Sequence, residues 1–339
     1  AGTLASLQGD YAEARPLLES ALAIRKALGD EVGQCQTLTN LGNLAYEQDD
    51  YATARRCYED SLRIFRAAGS AWNTALAQFN LASVAYAQCD LVTAEHQVSE
   101  SLALSRRHAF DRPIVNSLVL LGIIAWERGQ FDTARRNYEE AFAKLDALDD
   151  APGLAEAHRL LGSVLYEQGH VDEALVHMET SLKLETQIGD RLGVAKASDW
   201  IGRIALGRSD IATARARFRQ SLDIATAIGH KLIASDALET LGRIAFQRGH
   251  VGDGAVMLAQ SFELRQSLQN PLRVAESIEG IAVFAVYVDR HSDACRLAGY
   301  ANATREALGT PLPPSRAIWL IPAMQTARDH LGDADAGGR

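Results

Sequence analysis

The sequence predicts an all-α solenoid of antiparallel helix pairs, on three observations. First, one phrase returns at a fixed distance. LGNLAYEQDDYATA begins at residue 41 and comes back as LASVAYAQCDLVTA at 81, LGIIAWERGQFDTA at 121 and LGSVLYEQGHVDEA at 161. It continues as IGRIALGRSDIATA at 201, LGRIAFQRGHVGDG at 241 and IAVFAVYVDRHSDA at 281, a period of 40 residues without insertion or deletion. A period of this size means a supersecondary unit stacked on copies of itself. Second, apolar residues inside each copy recur at i, i+3, i+4 and i+7, and no β-type alternation appears. Third, small residues recur where two helix backbones would have to approach closely.

Each element follows from its residues. Leu38, Leu41, Gly42 and Ala45 form one stripe of a first helix, A, over about residues 32–48. QDD ends it, and Asp50 is placed to cap the next helix. Tyr51, Ala54, Tyr58, Ser61, Leu62 and Phe65 then give helix B over about residues 51–67, closed by a break at Gly69. Equivalent breaks stand at Gly29, Gly189, Gly229 and Gly309. A helical Gly costs about 1 kcal/mol relative to Ala. Its return at 42, 122, 162, 202 and 242 therefore needs a compensating close contact. One unit cannot bury its apolar face alone, so neighbours must stack. The expected organisation is a solenoid over 1–310, a capping helix over 311–331 and a flexible tail over 332–339. Within the solenoid, a partial repeat 1–30 precedes repeats at about 31–70, 71–110, 111–150, 151–190, 191–230, 231–270 and 271–310.

Leu41–Gly42, Tyr51, Ala54, Tyr58 and Ser61 resemble the tetratricopeptide repeat pattern. The resemblance covers about residues 1–308. The unit departs from the common 34-residue form in having longer helices and no proline after helix B. The resemblance implies a right-handed α-α superhelix whose A helices line the concave surface and bind partners there. NPLRVAESIEGIA, ACRLAGYANATREALGTPLPPSRAIWL and a final helix ending in ARDHLG further resemble the C-terminus of large bacterial STAND-type ATPase regulators, often of the LuxR type. Pro322 departs from that pattern, because it interrupts what should be a continuous terminal helix. The chain also begins inside a helix A without Met. It reads as a fragment whose upstream effector domains are missing, and its cut end leaves an oligomer open.

Composition removes several function classes. The chain has 339 residues, 34 Lys and Arg against 43 Asp and Glu, and a net charge of −9. That disfavours direct nucleic-acid binding, which needs clustered cations. No apolar run reaches the roughly 20 residues that span a bilayer, and no signal peptide opens the chain. A cytoplasmic protein without a membrane partner is expected. Cys35, Cys57, Cys89 and Cys295 form no CxxC pair and read as reduced thiols. The nine histidines make no metal pattern, and no phosphate loop, nucleophile elbow or working carboxylate pair appears. No metal, no cofactor and no catalysis are expected.

The concave surface implied by the resemblance supplies the candidate ligand residues. They are Asn43, Tyr46, Phe79, Tyr86, Asn116, Trp126, Arg159, Tyr166, Lys196, Arg203, Asp236, Glu239, Arg243 and Phe246. Asn43 and Asn116 offer donor and acceptor together to a peptide backbone, or are simply solvated. Arg203 and Arg243 share one phase of adjacent units with Arg159 before them. They would receive a carboxylate or phosphate bidentately, or pair between repeats with Asp199, Asp236 and Glu239. The column Tyr46, Tyr86, Trp126, Tyr166 and Phe246 lies at the edge of the core stripe, where an aromatic packs, binds or does both. The expected function is a sensor module binding a protein or peptide segment. The alternatives are a passive scaffold and a receptor for a small signalling molecule.

Overall fold

The structure is a computed structural model that describes the backbone of residues 11–337 and the side chains of residues 14–332. Residues 1–10 of the expected partial repeat lie outside the described residues, as do 338–339 of the expected tail. The described chain is α-helical and holds no strand. It separates into two compact units, 1–124 and 125–339.

The helices follow the predicted rhythm. They are α1 (Tyr11–Ala27), α2 (Glu31–Glu47), α3 (Tyr51–Ala67), α4 (Ala71–Ala87), α5 (Leu91–Arg107) and α6 (Asp111–Glu127). Then come α7 (Phe131–Ala147), α8 (Ala151–Glu167), α9 (Val171–Ile188), α10 (Arg191–Gly207) and α11 (Ile211–Ala227). The last five are α12 (Lys231–Gln247), α13 (Val251–Gln266), α14 (Pro271–Tyr287), α15 (His291–Leu308) and α16 (Pro314–Gly337). From α2 to α15 the even helices are A and the odd helices are B. In the second unit α8 packs on α9, α10 on α11, α12 on α13 and α14 on α15; α9, α11 and α13 each also meet the A helix that follows, and α15 meets α16.

Capping and turn chemistry set the ends. Asp50 accepts from the Thr53 N–H at 3.1 Å, and Asp90 and Asp210 do the same for Thr93 and Thr213. The Thr53 and Thr93 side chains first, and these backbone bonds after them, hold the Asp50 and Asp90 carboxyls below their ordinary values. A left-handed residue stands at Gly29 and then every 20 residues to Gly309. It lets the next N–H reach back five residues, as from Asp50 to the Ala45 carbonyl at 2.8 Å, which is the Schellman closure of a helix. Seven of these positions are not glycine: Asp49, Cys89, Ala109, Asp149, Ser209, Gln269 and Asp289. A left-handed non-Gly residue costs about 1–2 kcal/mol, least for Asp. Ala109→Gly and Gln269→Gly are therefore each expected to stabilise the fold by about 0.5–1 kcal/mol after the entropy gained by the unfolded chain. Asp149→Gly should gain less. A rise in the denaturant midpoint at constant slope checks this.

The small residues allow helices A and B to cross closely. A Cβ on Gly42 would lie 2.5 Å from the Tyr58 ring, and one on Gly202 would lie 3.0 Å from Phe218. Tyr58 and Phe218 fill the space beside the crossing and are buried. The Ser61 phase also does more than stay small. Ser101, Ser181 and Ser261 each donate to a carbonyl of their own A helix at 2.8 Å, at Ala75, Ala155 and Ser235.

The chain end departs from expectation. Pro322 does not interrupt the terminal helix, because α16 runs through it. Pro322 is exposed, so the carbonyl left without a donor four residues earlier faces water. The same helix continues to Gly337, beyond the expected end at 331. On the other face Leu320, Met324 and Ala327 are buried against Ala282, Val283 and Ala294.

Candidate functional site

The expected groove residues fall into both units. Asn43, Tyr46, Phe79, Tyr86 and Asn116 lie in the first. Asn43 is exposed, and its Oδ1 already accepts from the Tyr58 hydroxyl at 2.7 Å. One half of its amide is therefore committed to the core. Tyr46 sits edge-on to Tyr51 at 5.7 Å and packs on the Ala45, Ala54 and Val84 cluster. Burial first, then Glu47 and Asp49, raise its pKa. Phe79 and Tyr86 pack against the cluster built on Ala82, Val98 and Ile124. Asn116 is half-buried.

The second unit brings its residues together. The 39-phase of helix A supplies Arg159, Asp199, Glu239 and Glu279. The 36-phase supplies Lys196, Asp236 and Glu276. Facing them are cations the sequence reading did not single out. Position 65, which holds Phe65 and Leu145 as core residues, becomes Arg265 and Arg305 in the last two copies. Arg265 is 1% exposed. It donates to Glu239 at 2.5 Å, to Asp236 at 2.5 Å and to the Ser235 and Ser277 hydroxyls. Arg305 donates to Glu279 at 2.5 and 3.2 Å. A charged side chain at a core phase was the available signal for these residues.

The segment after α15 closes over the same face. The Ser315 N–H and hydroxyl donate to the Glu167 carboxylate at 3.0 and 2.5 Å. Arg316 donates to Glu279 at 2.6 Å, to Glu239 at 2.9 Å and to the Glu276 carbonyl at 2.6 Å. Arg273 of α14 reaches Glu127 of α6 at 2.6 Å. Residues 310–319 thus form a strap seated on the A helices of α8, α12 and α14. Burial alone would raise Glu239 and Glu276, but the surrounding arginines outweigh it and hold both carboxyls low.

Beside the strap lies a cavity of about 340 Å³, walled by Tyr166, Arg203, Asp236, Arg243, Gln247 and Trp319 among others. Four arginines line it, Arg203, Arg243, Arg265 and Arg316, against two carboxylates, Asp236 and Glu239. Arg203 is engaged by Asp199 at 2.6 Å and by Asp236 at 3.9 Å. Burial would lower its pKa, and those two carboxylates raise it instead. Arg243 differs from the other three. Its guanidinium lies 4.1 Å from the Trp319 ring centroid, and the Glu239 carboxylate acts on it through charge. Burial pushes its pKa down to about 10.

Two expected ligand residues are corrected. Phe246 is 2% exposed, stacked at 4.8 Å on Phe284 and 5.8 Å on Tyr287, so it packs and offers no face to a ligand. Glu239 is 3% exposed, and both its oxygens are taken by Arg265 and Arg316. The paired arginines also separate: Arg203 belongs to the ion network and Arg243 to the cavity. Tyr166 is edge-on to Trp200 at 6.0 Å. Trp126 packs on Phe131 at 6.4 Å, and its indole N–H has no acceptor among the described residues. Lys196 is half-buried, and burial lowers its pKa.

Arg159 pairs with Glu156 at 3.1 Å and Glu185 at 3.6 Å. Burial raises the Glu185 pKa to about 7 against the opposing pull of Arg159. The folded chain therefore holds a proton that the unfolded chain releases near pH 4.5. The linked stability is complete below that pH and is lost as pH rises towards 7. Glu185→Gln should remove this loss, gaining about 2–3 kcal/mol on the native chain between pH 4.5 and 7.5. Denaturant titrations at both pH values check it.

Among the described residues no group of three or more His, Cys, Asp or Glu is placed to hold a metal ion. No described helix is long and apolar enough to cross a membrane.

Solved structures with the same fold are distant in sequence. A Rap protein bound to competence and sporulation factor matches at TM-score 0.72 and 14% identity, covering 87% of this chain and 80% of its own. NprR in complex with its cognate peptide NprX matches at TM-score 0.65 and 17% identity, covering 89% and 85%. Aspartyl phosphate phosphatase F from Bacillus subtilis matches at TM-score 0.66 and 12% identity, covering 86% and 76%. No curated protein matches the chain in sequence. The tetratricopeptide repeat profile matches residues 1–67, 33–107 and 113–187, more than half of the chain. With the paired helices, the glycine-mediated crossings and the unbroken period, this places the chain in the tetratricopeptide repeat family.

Proposed function

We propose that this chain is a peptide-sensing module of a bacterial signalling or transcriptional regulator, binding its ligand on the A-helix face of residues 125–339. One observation carries this reading: a polypeptide segment is already held there. The strap is fixed by a backbone N–H, a hydroxyl and a guanidinium on A-helix carboxylates 37 to 148 residues away. A surface that binds its own chain in this way has the chemistry to bind another. The shared fold with proteins solved on competence and sporulation factor and on NprX supports the same reading. A binding role fits a face whose carboxylates are consumed by arginines and not held free for proton transfer. The resemblance of the C-terminal segment to STAND-type regulators suggests an ATPase and a DNA-binding effector elsewhere in the full protein. Occupancy would reach that effector through small changes at many repeat interfaces.

Panning a random peptide library against the intact chain tests the reading. Enriched peptides should lose binding on Arg203→Glu or Gln247→Arg and keep it on substitutions of exposed B-helix residues such as Arg219→Glu. Enrichment that ignores the A-helix face, or no enrichment, overturns it.

A further inference from the structure

We propose that the contact between His158 and His177 is an acid-sensitive joint: a proton on each ring forces open the crossing of α8 and α9 and re-aims the part of the A-helix face that α8 carries. The device stands apart from the peptide-binding reading, because it needs no ligand.

The pair stands where other copies of the repeat pack leucine. Leu38, Leu118 and Leu238 are buried at the phase that His158 occupies. The Nδ1 of His158 lies 3.0 Å from the Nδ1 of His177 on the partner helix. Their ring centroids are 5.0 Å apart, and the Phe142 ring of α7 meets His158 edge-on at 5.1 Å. Both histidines are half-buried, so protons reach them without unfolding. At this distance one ring donates and the other accepts. One added proton is shared between the two nitrogens. A second leaves two N–H groups and two positive charges facing each other, and the hydrogen bond becomes a repulsion. That repulsion acts where the helices are closest. α8 and α9 cross at Gly162, where a Cβ would lie 3.2 Å from the His177 Cβ and 3.1 Å from the Ala174 carbonyl. The nearby charges offer little relief. Glu173, one turn before His177, favours the charged ring, and Arg135 of α7 opposes it. Arg135 is itself paired with Glu139 at 2.7 Å. The charge that acts on His158 is that of His177. Burial outweighs these charges and lowers both pKa values. The contact therefore stabilises the fold above the ordinary imidazole pKa of about 6.5, and that stability is lost as pH falls. Glu185, farther along α9, shifts upward, so acid favours its site while weakening this one. α8 also carries Arg159 and Tyr166, and its Glu167 holds Ser315 of the strap. Opening its crossing with α9 thus acts on the face that meets the strap.

The test titrates the intact chain with acid and reads two signals. The histidine Cε1–H resonances are followed by NMR, and amide exchange along α8 and α9 is compared with that along α12 and α13. His158→Leu restores the leucine of the other copies, and His177→Gln places a neutral donor where Gln97 stands in an earlier copy. Each variant also identifies its histidine by the loss of a signal. In the unaltered chain the two resonances are expected to move together in two separated steps, as coupled groups do. In each variant the remaining histidine should titrate in one step. Exchange of the α8 and α9 amides, corrected for its intrinsic pH dependence, should quicken by about tenfold per pH unit once the pH is below about 6.5, the slope of an opening that takes up one proton. That acid-driven rise should be absent from both variants and from α12 and α13. Independent one-step titration of the two histidines in the unaltered chain overturns the joint. So does acid-driven opening that persists in the variants, or that is equal along α12 and α13. Should His158→Leu fail to fold, His177→Gln decides by the same readings.

Discussion

Arg265→Met is expected to destabilise the second unit by about 3–5 kcal/mol, the cost of removing one member of a buried ion network. Arg265 is 1% exposed and serves two carboxylates and two hydroxyls. Methionine fills most of its volume but leaves the buried Glu239 and the partly exposed Asp236 each short of a cation. Glu239 keeps Arg316 at 2.9 Å, which limits the loss. Adding Glu239→Leu should not add a second full penalty, because each change removes part of the same network. A double-mutant cycle should therefore show coupling of about 1–3 kcal/mol. Hydrogen exchange along α12, α13 and α14 measures it locally.

Arg316→Ala is expected to cost about 3 kcal/mol or more and to free the strap. The variant strips the cation from one Glu239 oxygen and leaves Glu279 with Arg305 alone, and it removes the guanidinium 4.9 Å from Trp319. Two results should appear together. The melting temperature falls, and the amides of residues 310–319 lose protection more than those of α15. Loss of stability with the strap still protected would show that Arg316 acts only inside the ion network. Arg316→Lys keeps charge but cannot reach both carboxylates at once, so it should recover only part of each effect.

Much of the fold was legible because the repeat writes its packing code many times. The observed α2 starts one residue before the expected helix A, α3 spans the expected helix B, and Asp50 caps as its position required. Leu38, Leu41, Ala45, Ala54 and Tyr58 are buried as their spacing demands. The site was less legible, for two physical reasons. Arg265 and Arg305 occupy a core phase, where helical periodicity alone counts a charged residue as a lapse of pattern and not as the partner of a carboxylate one helix away. Ser315 and Arg316 lie outside the repeat, and their partners Glu167, Glu239 and Glu279 are brought near only by stacking. No local spacing encodes a contact across 148 residues. The aromatic column shows the same limit. Position 46 lies at the edge of the core stripe, and what decides its fate is the neighbour it meets: Tyr51 beside Tyr46 leaves it half-buried, while Phe284 and Tyr287 bury Phe246 completely. Pro322 misled for a related reason: its cost to the helix is met by its setting, where the freed carbonyl faces water and the opposite face of α16 is buried against α14 and α15.

The claim that joins these observations is that the A-helix face of residues 125–339 is a peptide-binding surface presently engaged by the strap. The most direct measurement is binding of a synthetic peptide with the strap sequence, TPLPPSRAIWL, to the Arg316→Ala chain and to the unaltered chain. The account predicts saturable binding to the variant, at least about tenfold tighter than to the unaltered chain, whose own strap competes at high effective concentration. Binding should vanish when the peptide carries alanine in place of its arginine. Equal binding to both chains, or none to the variant while α12 and α14 remain folded, would contradict it.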